Sequence, residues 1–135
     1  MRVKKGQTSM EFFLLFGLSM AIMAMLFGTI SQKQSNVFER HNADMGREVA
    51  SNVGFQTEMA LVQGKGYSRT FFVPETIAGD NYTVNIDNRI VYVGWNDNFV
   101  TEQTLYSGRP IQFNTNRSNV FRVLHNESGV FIEDG

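Results

Sequence analysis

The stretch Phe12 to Ile30, FFLLFGLSMAIMAMLFGTI, carries no charged side chain over nineteen residues. As a helix it spans roughly 28 Å at about 1.5 Å per residue, close to the ~30 Å hydrocarbon thickness of a bilayer. Such a segment must be surrounded by lipid or by protein, and this constrains the fold more than any other feature of the 135 residues. Glu11 abuts the run on its N-terminal side, and Arg2, Lys4 and Lys5 precede it. A basic leader before an apolar stretch is the layout of a targeting segment, yet the apolar part of a cleaved secretory signal is usually about 7–15 residues. The residues that follow, Ser31-Gln32-Lys33-Gln34, offer no A-x-A-like cleavage site. The run therefore reads as a membrane-length helix that is kept.

The helical period continues past Ile30. Phe38, His41, Met45, Val49, Val53 and Ala60 recur at three- to four-residue steps or their multiples, with Glu39, Arg40, Asp44, Arg47 and Glu48 between them. Arg40–Asp44 and Asp44–Arg47 have the spacing of helix surface pairs. Gly17, Gly28, Gly46 and Gly54 interrupt the pattern, each at up to ~1 kcal/mol against Ala in an exposed helix. The expected stop is Gly64-Lys65-Gly66, where glycine takes the left-handed cap conformation. A helix over residues 7–64 is thus expected, with an apolar part at 12–30 and an amphipathic stem at 31–64.

After Gly66 the composition changes to Val, Ile, Thr, Phe and Tyr alternating with Asn, Asp, Gly and Ser. Strands are predicted at Arg69–Glu75, Tyr82–Ile86, Arg89–Trp95, Asn98–Leu105, Arg109–Asn114, Val120–His125 and Val130–Glu133. Turn residues separate them, and Asp87-Asn88 is a hairpin signal because both residues tolerate positive φ. The expected fold class is α+β: a long hydrophobic helix, then a small antiparallel β-sheet or β-sandwich head at 65–135.

Several function classes find little support. The chain has no cysteine, which excludes disulfides and thiolate metal sites, and its formal net charge of −1 makes no general case for nucleic acid. His41 and His125 stand without the partners of a metal site, and both are read as structural. Asp80, Asp87, Asp97, Glu127 and Asp134 form no D-x-D-x-D-G loop, so turn solvation is their reading rather than calcium. Gly64-Lys65-Gly66 lacks the Walker pattern. Trp95 and the aromatics near it alternate as a sheet core does, with a carbohydrate- or surface-binding patch as the other reading. No catalysis and no cofactor are expected.

KKGQTSMEF (Lys4 to Phe12) resembles the processing site of archaeal type IV pilins, in which a basic residue and glycine precede Q-x-S-x-E and an aromatic. Lys5, Gly6, Gln7, Ser9, Glu11 and Phe12 fill these places in order. The resemblance implies cleavage by a prepilin peptidase between Gly6 and Gln7, ahead of the apolar run, with residues 1–6 lost as a leader. The chain would then lose three of its 12 basic residues and none of its 13 acidic ones, taking the side-chain balance from −1 to −4. GYSRTFFVPETIAGDNYTV (Gly66 to Val84) resembles the start of the β domain of small pilins of this kind. The family also implies a helical homopolymer, a pilus assembly ATPase and a membrane platform protein. The subunit would sit in the cell membrane before assembly and in an extracellular adhesive filament afterwards.

Cleavage would leave a free α-amine on Gln7, four residues ahead of Glu11. A lone carboxylate in a filament core costs several kcal/mol, and pairing with a neighbour's Gln7 amine would relieve that cost and set axial register. The other reading of Glu11 is an interfacial acid offsetting the helix's positive end. Phe13, Phe16, Met20, Met23 and Phe27 are expected to line part of the filament core, or else to face lipid. Gly17, Ser19 and Gly28 could permit close helix approach, although the two glycines lack G-x-x-x-G spacing. Sequons at Asn81, Asn116 and Asn126 fall in or beside expected turns and are candidate N-glycosylation sites, which would make an oligosaccharyltransferase a partner; turn chemistry explains the same residues. The rival to a filament subunit is a membrane-anchored minor pilin-like or sugar-binding protein that does not form the bulk filament.

Overall fold

The computed structural model describes residues 4–135, with side chains from residue 9 onward. The architecture is α+β. Helix α1 (Lys4–Gln63) is followed by strands β1 (Ser68–Phe72), β2 (Tyr82–Asp87), β3 (Ile90–Trp95), β4 (Asn98–Gln103), β5 (Ile111–Asn114), β6 (Val120–Asn126) and β7 (Gly129–Asp134). The chain divides into two compact units, one as far as Glu39 and one from Arg40 to Gly135. The C-terminal part of α1 thus belongs with the strands.

That part of the helix has one covered face. Gly46, Val49, Ala50, Val53, Gly54, Thr57 and Ala60 are all buried and recur at three- and four-residue steps, while Asp44 and Arg47 pair on the exposed side at 3.5 Å. The exposed ion pair adds little; the buried stripe supplies the driving force. Small residues within the stripe let a sheet approach closely. An added Cβ at Gly46 would lie 2.6 Å from Cζ3 of Trp95 and 2.9 Å from Cγ2 of Val100.

All the strands pair antiparallel, in the orders β4-β3-β2-β5 and β1-β6-β7. Alternation sets their inner faces: Tyr82, Val84 and Ile86 on β2 and Val91, Val93 and Trp95 on β3 are buried, and their neighbours face outward. These residues join Val49, Val53 and Ala60 of the helix and Phe121 and Val123 of β6 in a single core. The rings of Phe113 and Phe121, 4.4 Å apart, connect β5 to β6 across that core.

The helix stops as expected. Gly64 takes φ 79° and its N–H reaches the Ala60 carbonyl at 3.2 Å. The same carbonyl lies 2.8 Å from Nδ1 of His125. A carbonyl only accepts, so Nδ1 carries the proton there, and His125 closes the helix terminus, the structural role its lack of metal partners suggested.

Three strand boundaries differ from the sequence expectation by two residues or more. β1 ends at Phe72, before Pro74, which has no N–H for a ladder. β5 begins at Ile111, after Pro110, for the same reason. β4 ends at Gln103, opposite the start of β3 at Ile90; beyond it the Thr104 N–H still donates to the Arg89 carbonyl at 2.9 Å, and Glu58 Oε1 accepts from the Leu105 N–H at 2.8 Å and from Thr104 Oγ1 at 3.0 Å. The first hairpin is also shifted. Asp87 still pairs with Ile90, so the turn is Asn88-Arg89, at φ 46° and 68°, rather than Asp87-Asn88. Burial of Ile86 and Val91 fixes that register, and Arg89 tolerates the left-handed conformation as a result.

Tyr82 is 2 % exposed and its hydroxyl donates to the Pro74 carbonyl at 2.6 Å. Burial pushes its phenol well above the usual tyrosine range. Tyr106 is raised too, by burial, with the Arg109 cation partly offsetting it. The unfolded chain therefore loses these protons first as pH rises. Stability is expected to be flat up to about pH 10 and to fall above it, by at most about 1.4 kcal/mol per pH unit per tyrosine. Tyr82→Phe should remove most of that slope, while leaving the Pro74 carbonyl unpaired at a cost of about 1–2 kcal/mol at neutral pH. Chemical denaturation from pH 8 to 11 checks both; an unchanged slope in the variant would rule Tyr82 out as its source.

Candidate functional site

From Ser9 to Glu39 every residue of α1 is exposed. Phe13 at 69 %, Phe16 at 54 %, Met20 at 62 %, Met23 at 66 % and Phe27 at 70 % form a row at three- and four-residue steps. The row has no polar counterpart across the helix. Leu14, Leu15, Leu18, Ile22, Met25 and Leu26, at other angles, are at least half exposed as well. A helix apolar around its whole circumference has no water-facing side, so its natural surroundings are lipid or other chains on every side. Among the described residues it is the helix long and apolar enough to cross a membrane.

The hydroxyls inside the run and just past its end are satisfied by the helix itself. Ser19 Oγ donates to the Phe16 carbonyl at 2.8 Å, Thr29 Oγ1 to that of Leu26 at 2.9 Å, and Ser31 Oγ to that of Phe27 at 3.0 Å. No hydroxyl among these three needs water, which suits a segment transferred into an apolar medium. Glu11 is exposed at the start of the run. Residues 1–3, and the side chains of residues 4–8 around the expected cleavage position at Gly6 and Gln7, lie outside the described residues.

The three sequon asparagines are all exposed on the strand-bearing unit. Asn81 directly precedes β2. Asn116 follows β5, with its N–H on Asn114 Oδ1 at 3.3 Å. Asn126 sits at the β6–β7 turn, where its Oδ1 accepts the Ser128 N–H at 2.8 Å. The turn role is thus visible at Asn126 and does not consume the amide nitrogen that a glycan would use. His41 is exposed on the helix. Among the described residues no group of three or more His, Asp or Glu side chains converges to hold a metal.

Two features escaped the sequence reading. Trp95 is buried, 5 % exposed, but Tyr92 and Phe99 face outward on the four-stranded sheet, their rings 5.2 Å apart and 19° from parallel. Strict alternation along Ile90–Trp95 already separates Tyr92 from Val91, Val93 and Trp95, so that signal was present. Glu58 was the other: its bracing of Thr104 and Leu105, 46 and 47 residues away, leaves no local trace. Among known protein families, curated proteins and solved structures, none matches this chain.

Proposed function

We propose that this chain is the precursor of an archaeal type IV pilin, a structural subunit that performs no catalysis and polymerises through its N-terminal helix. The observation that carries the reading is the all-round apolar, exposed stretch of α1 from Phe12 to Ile30, beginning with the last residue of Lys5-Gly6-Gln7-Thr8-Ser9-Met10-Glu11-Phe12. Prepilin peptidase cuts after Gly6, the leader stays on the cytoplasmic side with its three basic residues, and the helix remains in the bilayer. An assembly ATPase and a platform protein then move the helix from lipid into a core built of copies of itself. Each transfer exchanges one apolar environment for another, so the energetic cost per subunit is small, and the work comes from ATP hydrolysis elsewhere. The repeated contact is heterologous and does not close, which yields a filament. The strand-bearing units remain in water and give the filament its adhesive surface.

The test is the intact mass and N-terminal sequence of the protein in sheared cell-surface material. A chain beginning at Gln7 and sedimenting with filaments is the expected result. A chain beginning at Met1, or one released into the medium and beginning beyond Ile30, would refute the proposal. A second reading, a membrane-anchored sugar- or surface-binding protein, is favoured by one observation. The exposed Tyr92–Phe99 stack adjoins a shallow cleft of about 280 Å³ lined by Asn85, Asp87, Ile90 and Tyr92; aromatic faces beside amides and carboxylates suit saccharides. A chain that begins at Gln7 yet stays wholly in the membrane fraction would select that reading.

A further inference from the structure

We propose that Asn81 and Asn116 are one glycan acceptor site, which holds a single N-linked oligosaccharide on either asparagine but never on both. The inference rests on the reading of this chain as an exported surface protein. The two sequons are far apart in sequence, yet the fold brings them to one cleft. β2 and β5 pair with Thr83 opposite Asn114, and beyond the ladder the Thr115 N–H donates to the Tyr82 carbonyl at 3.1 Å. The Tyr82 N–H in turn donates to Thr115 Oγ1 at 3.2 Å. Tyr82 and Thr115 are both buried, at 2 % and 7 % exposure, so this junction is held firmly. Asn81 and Asn116, next along the chain from the two residues of this junction, are both exposed. They line one open cleft of about 300 Å³ together with Glu75, Thr76, Arg117 and Asn119.

The chemistry at either position is the same. Nδ2 of the asparagine forms a bond to the anomeric carbon of a phosphate-activated, lipid-linked oligosaccharide. The bond from that carbon to the phosphate oxygen breaks, the phosphate leaves with the electron pair, and the amide proton goes to water. Both asparagines open onto the same cleft of about 300 Å³, so a sugar bonded to either one occupies space beside the other. Once one asparagine is modified, the oligosaccharide fills the cleft from which a transferase would approach the other. A chain modified at both before folding would have to crowd two branched groups into that cleft against the Tyr82–Thr115 junction. Asn126 escapes this constraint because it ends β6, in the other sheet, and does not line that cleft.

The test uses the full chain, expressed in and purified from its own cells, as a Ser128→Ala variant. That change destroys the third sequon but keeps the backbone N–H that binds Asn126 Oδ1, so the turn survives. Intact mass should show no molecule with more than one oligosaccharide, and glycopeptides should place it on Asn81 in some chains and on Asn116 in others. Replacing the more occupied asparagine by Gln should raise occupancy of the other toward the level that was lost. Molecules carrying two oligosaccharides would overturn the proposal, as would occupancy at the second asparagine that does not respond. Absence of sugar from both positions would overturn it as well. If such chains still begin at Gln7 and enter filaments, the pilin reading stands without it; if they are neither cut nor exported, that reading fails too.

Discussion

Filaments are expected to disappear from cells whose only copy of this protein carries Glu11→Ala, while cleavage between Gly6 and Gln7 continues. In the proposed filament the Glu11 carboxylate and a neighbour's Gln7 amine enter a water-poor core as a pair. Removing one partner strands the other, a loss of about 3–5 kcal/mol for a buried ion pair. At ~1.4 kcal/mol per tenfold change, the association constant for adding a subunit falls by about two to three and a half orders of magnitude. A change of that size separates abundant filaments from none at any ordinary membrane concentration. Cleavage is expected to persist because the peptidase acts on monomers in the bilayer, before any pair forms. N-terminal sequencing of the membrane fraction and electron microscopy of sheared material read the two effects separately. Normal filament numbers from Glu11→Ala would refute the pairing role and leave Glu11 as an interfacial acid.

The second large effect concerns stability and has opposite signs at two glycines on one helix face. Gly46→Ala is expected to destabilise the strand-bearing unit by about 1–3 kcal/mol, the usual range for overpacking. The new methyl would meet the rigid indole of Trp95 at 2.6 and 2.9 Å and Val100 at 2.9 Å, and neither group can withdraw without opening the core. Gly54→Ala, two turns further on, would meet Val91 Cγ2 at 3.5 Å and Thr104 at 3.8 Å, ordinary contact distances. There the greater helix propensity of alanine, up to ~1 kcal/mol, should prevail. Thermal denaturation of the detergent-solubilised chain compares the two directly. Equal shifts in one direction would mean that close approach at Gly46 is not what its lack of a side chain serves.

Much of the fold was legible because its signals are local. The apolar run from Phe12 to Ile30, the glycine stop at Gly64 and the alternation of Val84, Ile86, Val91 and Val93 each depend on neighbours within a few residues. Helix periodicity at Val49, Val53 and Ala60 likewise marked the side of α1 that became buried, while Phe38 and His41 of the same series stay exposed. The deviations came from distant partners or from backbone chemistry. Proline trimmed β1 and β5, Glu58 took the Leu105 N–H just past the end of β4, and the register of Ile86 against Val91 moved the hairpin turn by one residue.

The proposed assembly site divides along the same line. By itself the sequence determined that a membrane-length apolar helix follows a basic leader and an acid, and that three sequons fall in polar connections, since both rest on residue type and short spacing. It could not reveal that Gly46 must lack a side chain, because Trp95 and Val100 reach that point only through sheet pairing. Nor could it reveal that Asn81 and Asn116 line one cleft, a relation that hydrogen bonds between β2 and β5 create across the intervening chain. Short-range steric and hydrophobic preferences are written residue by residue. Which surfaces come within a few ångströms of each other is decided only when the sheets close on the helix, because burial of the shared core selects one register and excludes the rest.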